Sequence, residues 1–207
     1  MTLPEKTVER LSEYRRSLAD CADGGITHIF SHVLAGLHGI TAVQVRRDLM
    51  LIGFSSDTKK GYDVRVLADF ISSILDSPVP ANIAIIGMGH LGRAITKYFN
   101  SKDLKLKIIA AFDVDPAKVG REIAGVECHD MGCFERMVGE LDINMVVVST
   151  PRDVAGELVL PIINAGIKGV LNFTSRPLNF PRGIVVENHD ITTMLEKVAY
   201  FVKEGEE

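Results

Sequence analysis

Apolar residues follow one spacing before residues 76–82 and another after them. In the earlier part they recur at the three- and four-residue intervals that amphipathic helices produce. In the later part, short apolar runs rich in β-branched residues alternate with helical segments, a pattern typical of a parallel α/β sheet. Two prolines within residues 76–82 indicate a short, stiff linker. We therefore predict domains over residues 1–78 and 79–189, and a C-terminal helix over 190–207.

Two helices and a turn are predicted at the start of the chain. Residues 4–22 have the spacing of one amphipathic helix, and a shorter helix over 31–37 ends at a turn over 38–40. The residues of the first helix that we expect to face a core are Val8, Leu11, Tyr14 and Leu18. A third helix follows the turn, which makes this region a candidate helix-turn-helix.

The third helix begins with a capping signal. Thr41 and Gln44 match a capping box, in which each side chain bonds to the other residue's backbone amide. Its inward face consists of Val45, Leu49 and Ile52. Arg46 then lies near the helix start, and Arg47 points away from the core. Arginines placed in this way can contact guanine in the major groove, and Gln44 can pair with adenine or hold a phosphate. A solvated helix face is the open alternative.

Residues 55–62 follow this helix and have the composition of a hairpin tip. Lys59 and Lys60 lie in it just before Tyr62, and a wing of this kind would approach the phosphate backbone or a minor groove. We therefore predict a winged helix-turn-helix domain, with a charged loop as the open alternative. Its candidate DNA-binding residues are Gln44, Arg46, Arg47, Lys59, Lys60 and Tyr62.

The second part is predicted to form a doubly wound parallel sheet. We expect its strands at residues 83–86, 108–112, 145–148, 170–173 and 184–186. The helices between them are expected at about residues 91–100, 131–140 and 152–165. The strand segments are almost wholly apolar, as in strands that are buried on both faces.

A glycine-rich sequence joins the first of these strands to its helix. It consists of Gly87, Met88, Gly89, His90, Leu91 and Gly92. This spacing is that of the dinucleotide-binding loop of Rossmann-type domains: Gly87 permits a tight turn, Gly89 lets the backbone approach a pyrophosphate, and Gly92 lets the helix pack on the strand. The helix N-terminus then offers free N–H groups to the phosphates. His90 is placed for packing or phosphate contact rather than for catalysis.

The second strand ends in Asp113, twenty-one residues after Gly92. A carboxylate there can accept hydrogen bonds from the adenine ribose and would repel a 2′-phosphate, which favours NAD over NADP. The alternative is that Asp113 only caps the following turn. Thr150 and Pro151, at the end of a later strand, are candidates for the nicotinamide side of the site.

Composition and charge narrow these possibilities further. With 46% apolar and 24% charged residues, the 207-residue chain has an ordinary globular composition. Because its net charge is −4, any nucleic-acid-binding surface must be a local cluster of basic residues. Cys21, Cys128 and Cys133 form no CxxC pair, and no signal peptide or membrane-spanning run is recognisable, so we expect a cytoplasmic protein. His28 and His32 lie four residues apart, but without further ligands they predict no metal site.

Taken together, these motifs resemble the Rex family of redox-sensing transcriptional repressors over nearly the full chain. The similar stretches are Arg10-Leu11, Tyr14, Arg16, residues 44–49, Gly61-Tyr62, residues 87–92, residues 112–116, Pro151-Arg152 and residues 165–173. The resemblance implies NAD(H) as cofactor, and release from palindromic operator DNA when NADH is high. It also implies a homodimer in which the C-terminal helix is exchanged between subunits.

Two further features depend on this resemblance. Family members couple their domains through polar contacts at positions that match Arg16, Tyr98 and Asp190; separate surface groups are the alternative. The apolar stripe after Asp190 fits an exchanged helix, or a helix docked on its own domain.

The sequence departs from the family pattern at two places. The wing has fewer glycines than is usual in the family, and the serine pair before the second helix is replaced by Phe30 and Ser31. These departures concern operator sequence and affinity more than the fold.

Other functions are compatible with a Rossmann domain. An NAD-dependent oxidoreductase needs an acid or base near the nicotinamide, and the helical domain offers no convincing set. A CoA-binding, ligase-like subunit needs a phosphorylatable histidine, and neither His129 nor His189 has that context. A regulatory module that binds a protein partner is the third possibility. We therefore predict a repressor that is not an enzyme.

Overall fold

A computed structural model describes residues 3–55, 60–77, 81–101 and 106–204 of the chain. The chain divides into two units, Met1–Pro78 and Val79–Glu207. Each unit has an apolar core of its own.

The N-terminal unit is a set of helices with a small two-stranded sheet. Its elements are α1 (Glu5–Asp23), β1 (His28–Ile29), α2 (Ser31–Leu37), α3 (Ala42–Leu51), β2 (Tyr62–Asp63) and α4 (Val64–Leu75). The strands β1 and β2 pair in antiparallel orientation. The helices predicted at 4–22 and 31–37 are confirmed, and α2, the turn and α3 form the helix-turn-helix.

The buried face of α1 differs from the predicted one at one position. Leu11, Tyr14 and Leu18 are fully buried as expected, but Val8 is 40% exposed and Thr7 is buried instead. The Thr7 hydroxyl lies within 3.5 Å of a buried carboxylate, that of Asp48. A polar residue is therefore stabilised on the inward face, and the prediction for Val8 is wrong because apolar spacing does not register such a partner.

The second unit is a sheet with helices. Its elements are β3 (Ala81–Ile86), α5 (His90–Asn100), β4 (Leu106–Asp113), β5 (Glu122–Ile123), β6 (Val126–Asp130), α6 (Phe134–Glu140), β7 (Met145–Val148), α7 (Arg152–Ala155), α8 (Val159–Asn164), β8 (Gly169–Asn172), β9 (Val185–Asn188) and α9 (Ile191–Glu204). All five predicted strands are present. The helix predicted at 152–165 is divided into α7 and α8 by a 3₁₀ turn at Gly156–Leu158.

The strand order β5-β6-β4-β3-β7-β8-β9 is that of a Rossmann sheet. Without β5, which joins the edge in antiparallel orientation, it is the order 3-2-1-4-5-6 with every pair parallel. Ala84 and Ile86 belong to the core on one face of the sheet, and Ile83 and Ile85 belong to the core on the other. The strand order changes direction between β3 and β7, where open α/β sheets bind ligands.

The C-terminal helix α9 begins immediately after Asp190, whose side chain caps it. Asp190 accepts hydrogen bonds from the Thr192 amide at 3.0 Å and from the Thr193 hydroxyl at 2.7 Å. Its apolar side chains are between 48% and 65% exposed. They are Ile191, Met194, Leu195, Val198, Tyr200, Phe201 and Val202. Within the described ranges, no helix combines the length and the apolar character needed to cross a membrane.

Candidate functional site

The glycine loop lies at the carboxyl end of β3 and opens α5, as predicted. Gly87 has a φ of +97°, and a Cβ atom there would lie 2.9 Å from the Ser149 carbonyl oxygen. A Cβ atom on Gly92 would overlap with the Gly87 carbonyl oxygen. A Cβ atom on Gly89, by contrast, would meet no described atom within 4 Å. The first and third glycines therefore permit the fold of the loop, and the second leaves open space beside it.

Asp113 ends β4 beside this loop and is 8% exposed. Its Oδ2 accepts hydrogen bonds from the Met88 amide at 2.8 Å and from Lys118 Nζ at 2.9 Å. Its Oδ1 accepts one from the Asp115 amide at 2.9 Å, so the turn cap that we considered as an alternative is also present. Burial would raise the pKa of Asp113, but the hydrogen bonds from Lys118, Asp115 and Met88 outweigh it and lower that pKa. The carboxylate is held ionised against the loop.

Lys118 is a part of this site that the sequence analysis missed. Its ammonium group lies 2.9 Å from Asp113 Oδ2 and 3.5 Å from Asp115 Oδ2. The hydrogen bond with Asp113 raises the pKa of Lys118 despite partial burial. The lysine follows the strand by only five residues, in a turn, where no periodic pattern identifies a partner. It offsets part of the negative charge at the end of β4.

Thr150 and Pro151 follow β7, the strand that neighbours β3 at the change of strand order. The hydroxyl of the preceding Ser149 donates to the Gly87 carbonyl oxygen at 2.8 Å, which fixes this segment to the glycine loop. Thr150 Oγ1 is buried and makes no hydrogen bond to any described atom. Such a group is costly unless a ligand or water satisfies it. Together with the open space at Gly89, this hydroxyl fits a polar ligand at the switch point.

The remaining loop residues differ in accessibility. Gly89 and His90 are exposed at the N-terminus of α5, Leu91 is half-buried, and Met88 is fully buried. The Met88 amide already donates to Asp113, so it has no hydrogen to offer a phosphate. A phosphate would instead meet the backbone at Gly89 and His90, where the dipole of α5 is positive.

The helix-turn-helix is built on a buried carboxylate, that of Asp48 in α3. Its Oδ2 accepts from Arg10 Nε at 2.7 Å and from the Tyr14 hydroxyl at 2.9 Å, and its Oδ1 accepts from Arg10 Nη2 at 2.7 Å. Burial would raise the pKa of Asp48, but the hydrogen bonds from Arg10, Tyr14 and Gln44 outweigh it and lower that pKa. The network joins α1 to α3. We did not predict it, because polar residues were assigned to the surface.

Half of the predicted capping box is present. Thr41 Oγ1 accepts a hydrogen bond from the Gln44 amide at 3.2 Å, as expected of an N-cap. The Gln44 side chain does not return to Thr41; its Nε2 donates to Asp48 Oδ1 at 3.0 Å. This part of the prediction is wrong because a hydrogen bond to an ionised carboxylate is stronger than one between neutral groups, so the Gln44 side chain is held at Asp48 and does not accept from the Thr41 backbone amide. One donor of Gln44 is therefore already used within the protein.

The candidate DNA-binding residues have different surroundings. Arg46 and Arg47 are exposed on α3, and Arg46 Nη1 donates to Ser31 Oγ of α2 at 3.0 Å. Lys60 is exposed, whereas Lys59 lies outside the described residues. Tyr62 is half-buried in β2, where its ring lies 6.0 Å from that of Phe54. The two arginines are thus exposed in the middle of α3, and Tyr62 is also used for packing.

The three candidate coupling residues lie on three helices or helix ends. Arg16 is exposed on α1, and Tyr98 is 54% exposed on α5 with its ring against Phe99. Asp190 caps α9. The hydrogen bond with Thr193 lowers the pKa of Asp190. Their role in coupling stays a prediction.

Two family models match this chain. Residues 2–49 match a model described as the N-terminus of a putative DNA-binding protein, which covers α1, α2 and most of α3. Residues 79–176 match a model described as a CoA binding domain, which covers most of the Rossmann sheet. The second match by itself would leave the CoA-binding alternative open.

Full-length relatives decide between these possibilities. A redox-sensing transcriptional repressor Rex of Clostridioides difficile is 35% identical over 198 residues, which are 96% of this chain and 94% of the relative. The repressor Rex of Leuconostoc citreum is 34% identical over 200 residues, 97% of this chain and 93% of the relative.

Solved structures give the same result. The structure of RSP, a Rex-family repressor, is 29% identical, has a TM-score of 0.86 and covers all of this chain and 96% of that one. The structure of RSP with beta-NADH has a TM-score of 0.87, and the match covers all of this chain and 97% of the RSP chain. The structure of RSP with beta-NAD+ and operator DNA has a TM-score of 0.92, and the match covers all of this chain and 95% of the RSP chain. The chain therefore belongs to the Rex family of redox-sensing transcriptional repressors.

Proposed function

We propose that this chain is a repressor that binds operator DNA while NADH is scarce and releases the DNA when NADH binds. Its family supports this function, because RSP has been solved with beta-NADH and with beta-NAD+ and operator DNA. The observation in this chain that carries the proposal is the glycine loop fixed by Asp113, which we call the dinucleotide cradle: it has open space at Gly89, and the nearby Thr150 hydroxyl has no hydrogen-bond partner among the described atoms. The family, which consists of repressors, argues against the enzyme alternatives.

NAD(H) fits this cradle residue by residue. The pyrophosphate would lie at Gly89 and His90, at the N-terminus of α5, and Asp113 would accept from the adenine ribose. Three of about four acceptor sites on this carboxylate are used by the protein, which leaves room for one further donor. Thr150 and Pro151 would line the nicotinamide side. The dinucleotide supplies a nicotinamide that is charged when oxidised and neutral when reduced.

Operator DNA would be contacted by the exposed start of α3. In a helix-turn-helix, the first residues of the second helix reach base edges in the major groove. Arg46 and Arg47 are exposed about one turn into α3, and Asp48 fixes the helix from its buried side. Lys59 and Lys60 would contact the phosphate backbone, and would add affinity without sequence preference. Gln44 and Tyr62 complete the proposed surface.

We propose a homodimer as the assembly that binds the operator. A palindromic operator requires two copies related by a two-fold axis, and each copy has an apolar face on α9 that is open in the single chain. We propose that α9 covers this face by packing on the partner subunit. Since such a repressor acts on DNA, and its described cysteines are free, we place it in the cytoplasm.

Repression and release would be linked by a shift between two dimer arrangements. NADH must bind one arrangement more tightly and DNA the other, because only a difference in affinity moves an equilibrium. A coupling of about 1–3 kcal/mol changes DNA affinity about 5- to 150-fold. Arg16, Tyr98 and Asp190 are the residues that we propose to transmit this change.

The test is fluorescence anisotropy of a palindromic, AT-rich duplex with purified protein at fixed salt, titrated with NADH and separately with NAD⁺. We expect NADH to release the duplex at concentrations at which NAD⁺ releases little. Tight binding that neither nucleotide affects would contradict the sensing function. Failure to bind this duplex or any duplex from a random library, with NADH still bound, would favour an enzyme or a protein-binding module.

A further inference from the structure

An exposed valine precedes the two arginines of α3 by one helical turn. Val43 is 65% exposed, and Arg46 and Arg47 follow it by three and four residues, the spacing that places side chains on one face of a helix. It is the second residue of α3, two residues after the N-cap Thr41. An apolar side chain therefore lies at the N-terminal end of the proposed DNA-binding surface.

We infer that Val43 contacts the C5-methyl group of a thymine in the major groove, and so specifies a thymine in each operator half-site. The inference rests on the proposed function, because it requires that the start of α3 enters the groove. Valine has no hydrogen-bond donor or acceptor. Among the groups that base pairs present in the major groove, the thymine methyl group is the one that an apolar side chain recognises.

The surroundings of Arg46 and Arg47 support this placement. Arg46 donates to Ser31 of α2, which holds it towards the first helix of the motif. Arg47 follows Val43 by four residues and is likewise exposed, so Val43 and Arg47 lie next to each other on the solvent-facing side of α3. In the major groove, the thymine methyl group is surrounded by phosphates and by hydrogen-bond acceptors of the bases. The apolar Val43 can contact the methyl group while the charged Arg47 beside it contacts a phosphate or a base acceptor. We therefore expect the specified thymine next to the base or phosphate that Arg47 contacts.

Met50 provides a matched control on the same helix face. It is 76% exposed and follows Val43 by seven residues, which is about 10 Å along the axis. Because α3 ends at Leu51, Met50 lies at the end of the helix that is farther from the base edges in helix-turn-helix docking. A general preference for apolar contact would involve both residues, whereas recognition of one thymine involves Val43.

The test removes single methyl groups from the DNA. The full-length protein first selects a duplex from a random library, and each thymine of that duplex is then replaced by deoxyuridine, which lacks only the C5-methyl group. We expect one position in each half-site at which this replacement weakens wild-type binding about fourfold, or ~0.8 kcal/mol. Val43→Ala should bind the unmodified duplex about fourfold more weakly and lose the sensitivity to deoxyuridine, whereas Met50→Ala should keep it.

The possible failures are distinguishable. If wild-type protein binds the selected duplex tightly but tolerates deoxyuridine at every position, the inference is wrong and the proposed function stands. The same holds if Val43→Ala retains the wild-type sensitivity. If the protein selects no duplex while it still binds NADH, both the inference and the proposed function are overturned. Circular dichroism of Val43→Ala checks that α3 is intact, as expected for an exposed side chain.

Discussion

At the scale of single residues, buried carboxylates organise both units. Asp48 is fully buried and bonded to Arg10 and Tyr14, and Asp113 is 8% exposed and bonded to Lys118 and the Met88 amide. A charge of this kind is stable in a protein only when several donors replace its water. Each carboxylate fixes the element that is proposed to contact a ligand, α3 in one case and the glycine loop in the other.

Replacing Asp48 with asparagine should destabilise the N-terminal unit strongly. The neutral amide would leave Arg10, whose side chain is 21% exposed, without its ion-pair partner. Because loss of one member of a buried pair costs about 3–5 kcal/mol and Arg10 is partly solvated, we expect a loss of about 2–4 kcal/mol. Urea unfolding followed by circular dichroism measures it. Asp20→Asn, on the exposed side of α1, is the control and should change stability by less than about 0.5 kcal/mol.

The same network predicts a pH dependence. The folded-state pKa of Asp48 is lowered, so its contribution to stability is present above the unfolded-state pKa of about 4 and is lost as the pH falls through the folded value. The difference in stability between wild type and Asp48→Asn should therefore shrink as the pH is lowered below about 4. A constant difference would contradict the ionised state that we assign to Asp48.

Two glycines of the loop should respond oppositely to alanine. In Gly89→Ala the methyl group would occupy open space, so we expect unchanged stability but at least about tenfold weaker NADH binding, because the methyl group would block the pyrophosphate. In Gly92→Ala the methyl group would overlap with the Gly87 carbonyl oxygen and cost about 1–3 kcal/mol of stability. Titration of NADH fluorescence and thermal unfolding separate the two effects. Wild-type NADH affinity in Gly89→Ala would refute the site.

Asp113 should determine the preference for NADH over NADPH. Replacing it with serine removes the charge that repels a 2′-phosphate and leaves the Lys118 ammonium without this partner. We expect the ratio of NADH to NADPH affinity to fall about tenfold or more, measured by fluorescence titration of both nucleotides. The double variant Asp113→Ser, Lys118→Ala should recover less NADPH binding. An unchanged ratio in Asp113→Ser would show that the ribose lies elsewhere.

Among the helices and strands, the sequence predicted those that are marked by a pattern of apolar residues. The helices around the turn and all five apolar strands were found, because each is marked by apolar residues in the sequence, although only β3, β4 and β7 are largely buried and β9 has no buried residue. The strand β6 was not predicted, since its sequence Val126–Asp130 alternates with Glu127 and His129 and contains only two fully buried residues. The two-residue strands β1 and β2 are too short for any pattern.

Part of the candidate site could also be predicted from the sequence. The glycine loop and Asp113 follow from spacing along the chain, and the structure places them together. The partners Lys118 and Arg10 did not follow, because ion pairs between distant or turn residues leave no periodic signal. Only the folded chain shows that Thr150 has a buried hydroxyl without a partner among the described atoms.

The C-terminal helix α9 should hold the dimer together. Val198 is 60% exposed at the centre of its apolar face, so Val198→Glu would place a charge in the proposed interface. We expect the wild-type protein to sediment as a dimer and Val198→Glu as a monomer at micromolar concentration in analytical ultracentrifugation. Glu196→Gln, also exposed on α9, should remain dimeric. A Val198→Glu variant that stays fully dimeric would place the interface elsewhere.

At the scale of the whole molecule, function requires that two units with separate cores influence each other. Within a family of redox-sensing repressors, the Rossmann unit would detect the nucleotide and the helix-turn-helix would bind DNA. Neither unit alone can respond to redox state by changing DNA affinity. The proposed response therefore depends on a coupling free energy between the two sites, and such coupling is reciprocal.

The coupling between nucleotide and DNA is tested by the affinity for NADH, measured with and without a saturating operator duplex. We predict that the duplex weakens NADH binding about 5- to 150-fold, by the same factor by which NADH weakens binding of the duplex. Isothermal titration calorimetry at fixed salt gives both affinities. An identical dissociation constant for NADH in the presence and absence of the operator would contradict NADH-controlled repression, because a nucleotide without differential affinity cannot release DNA.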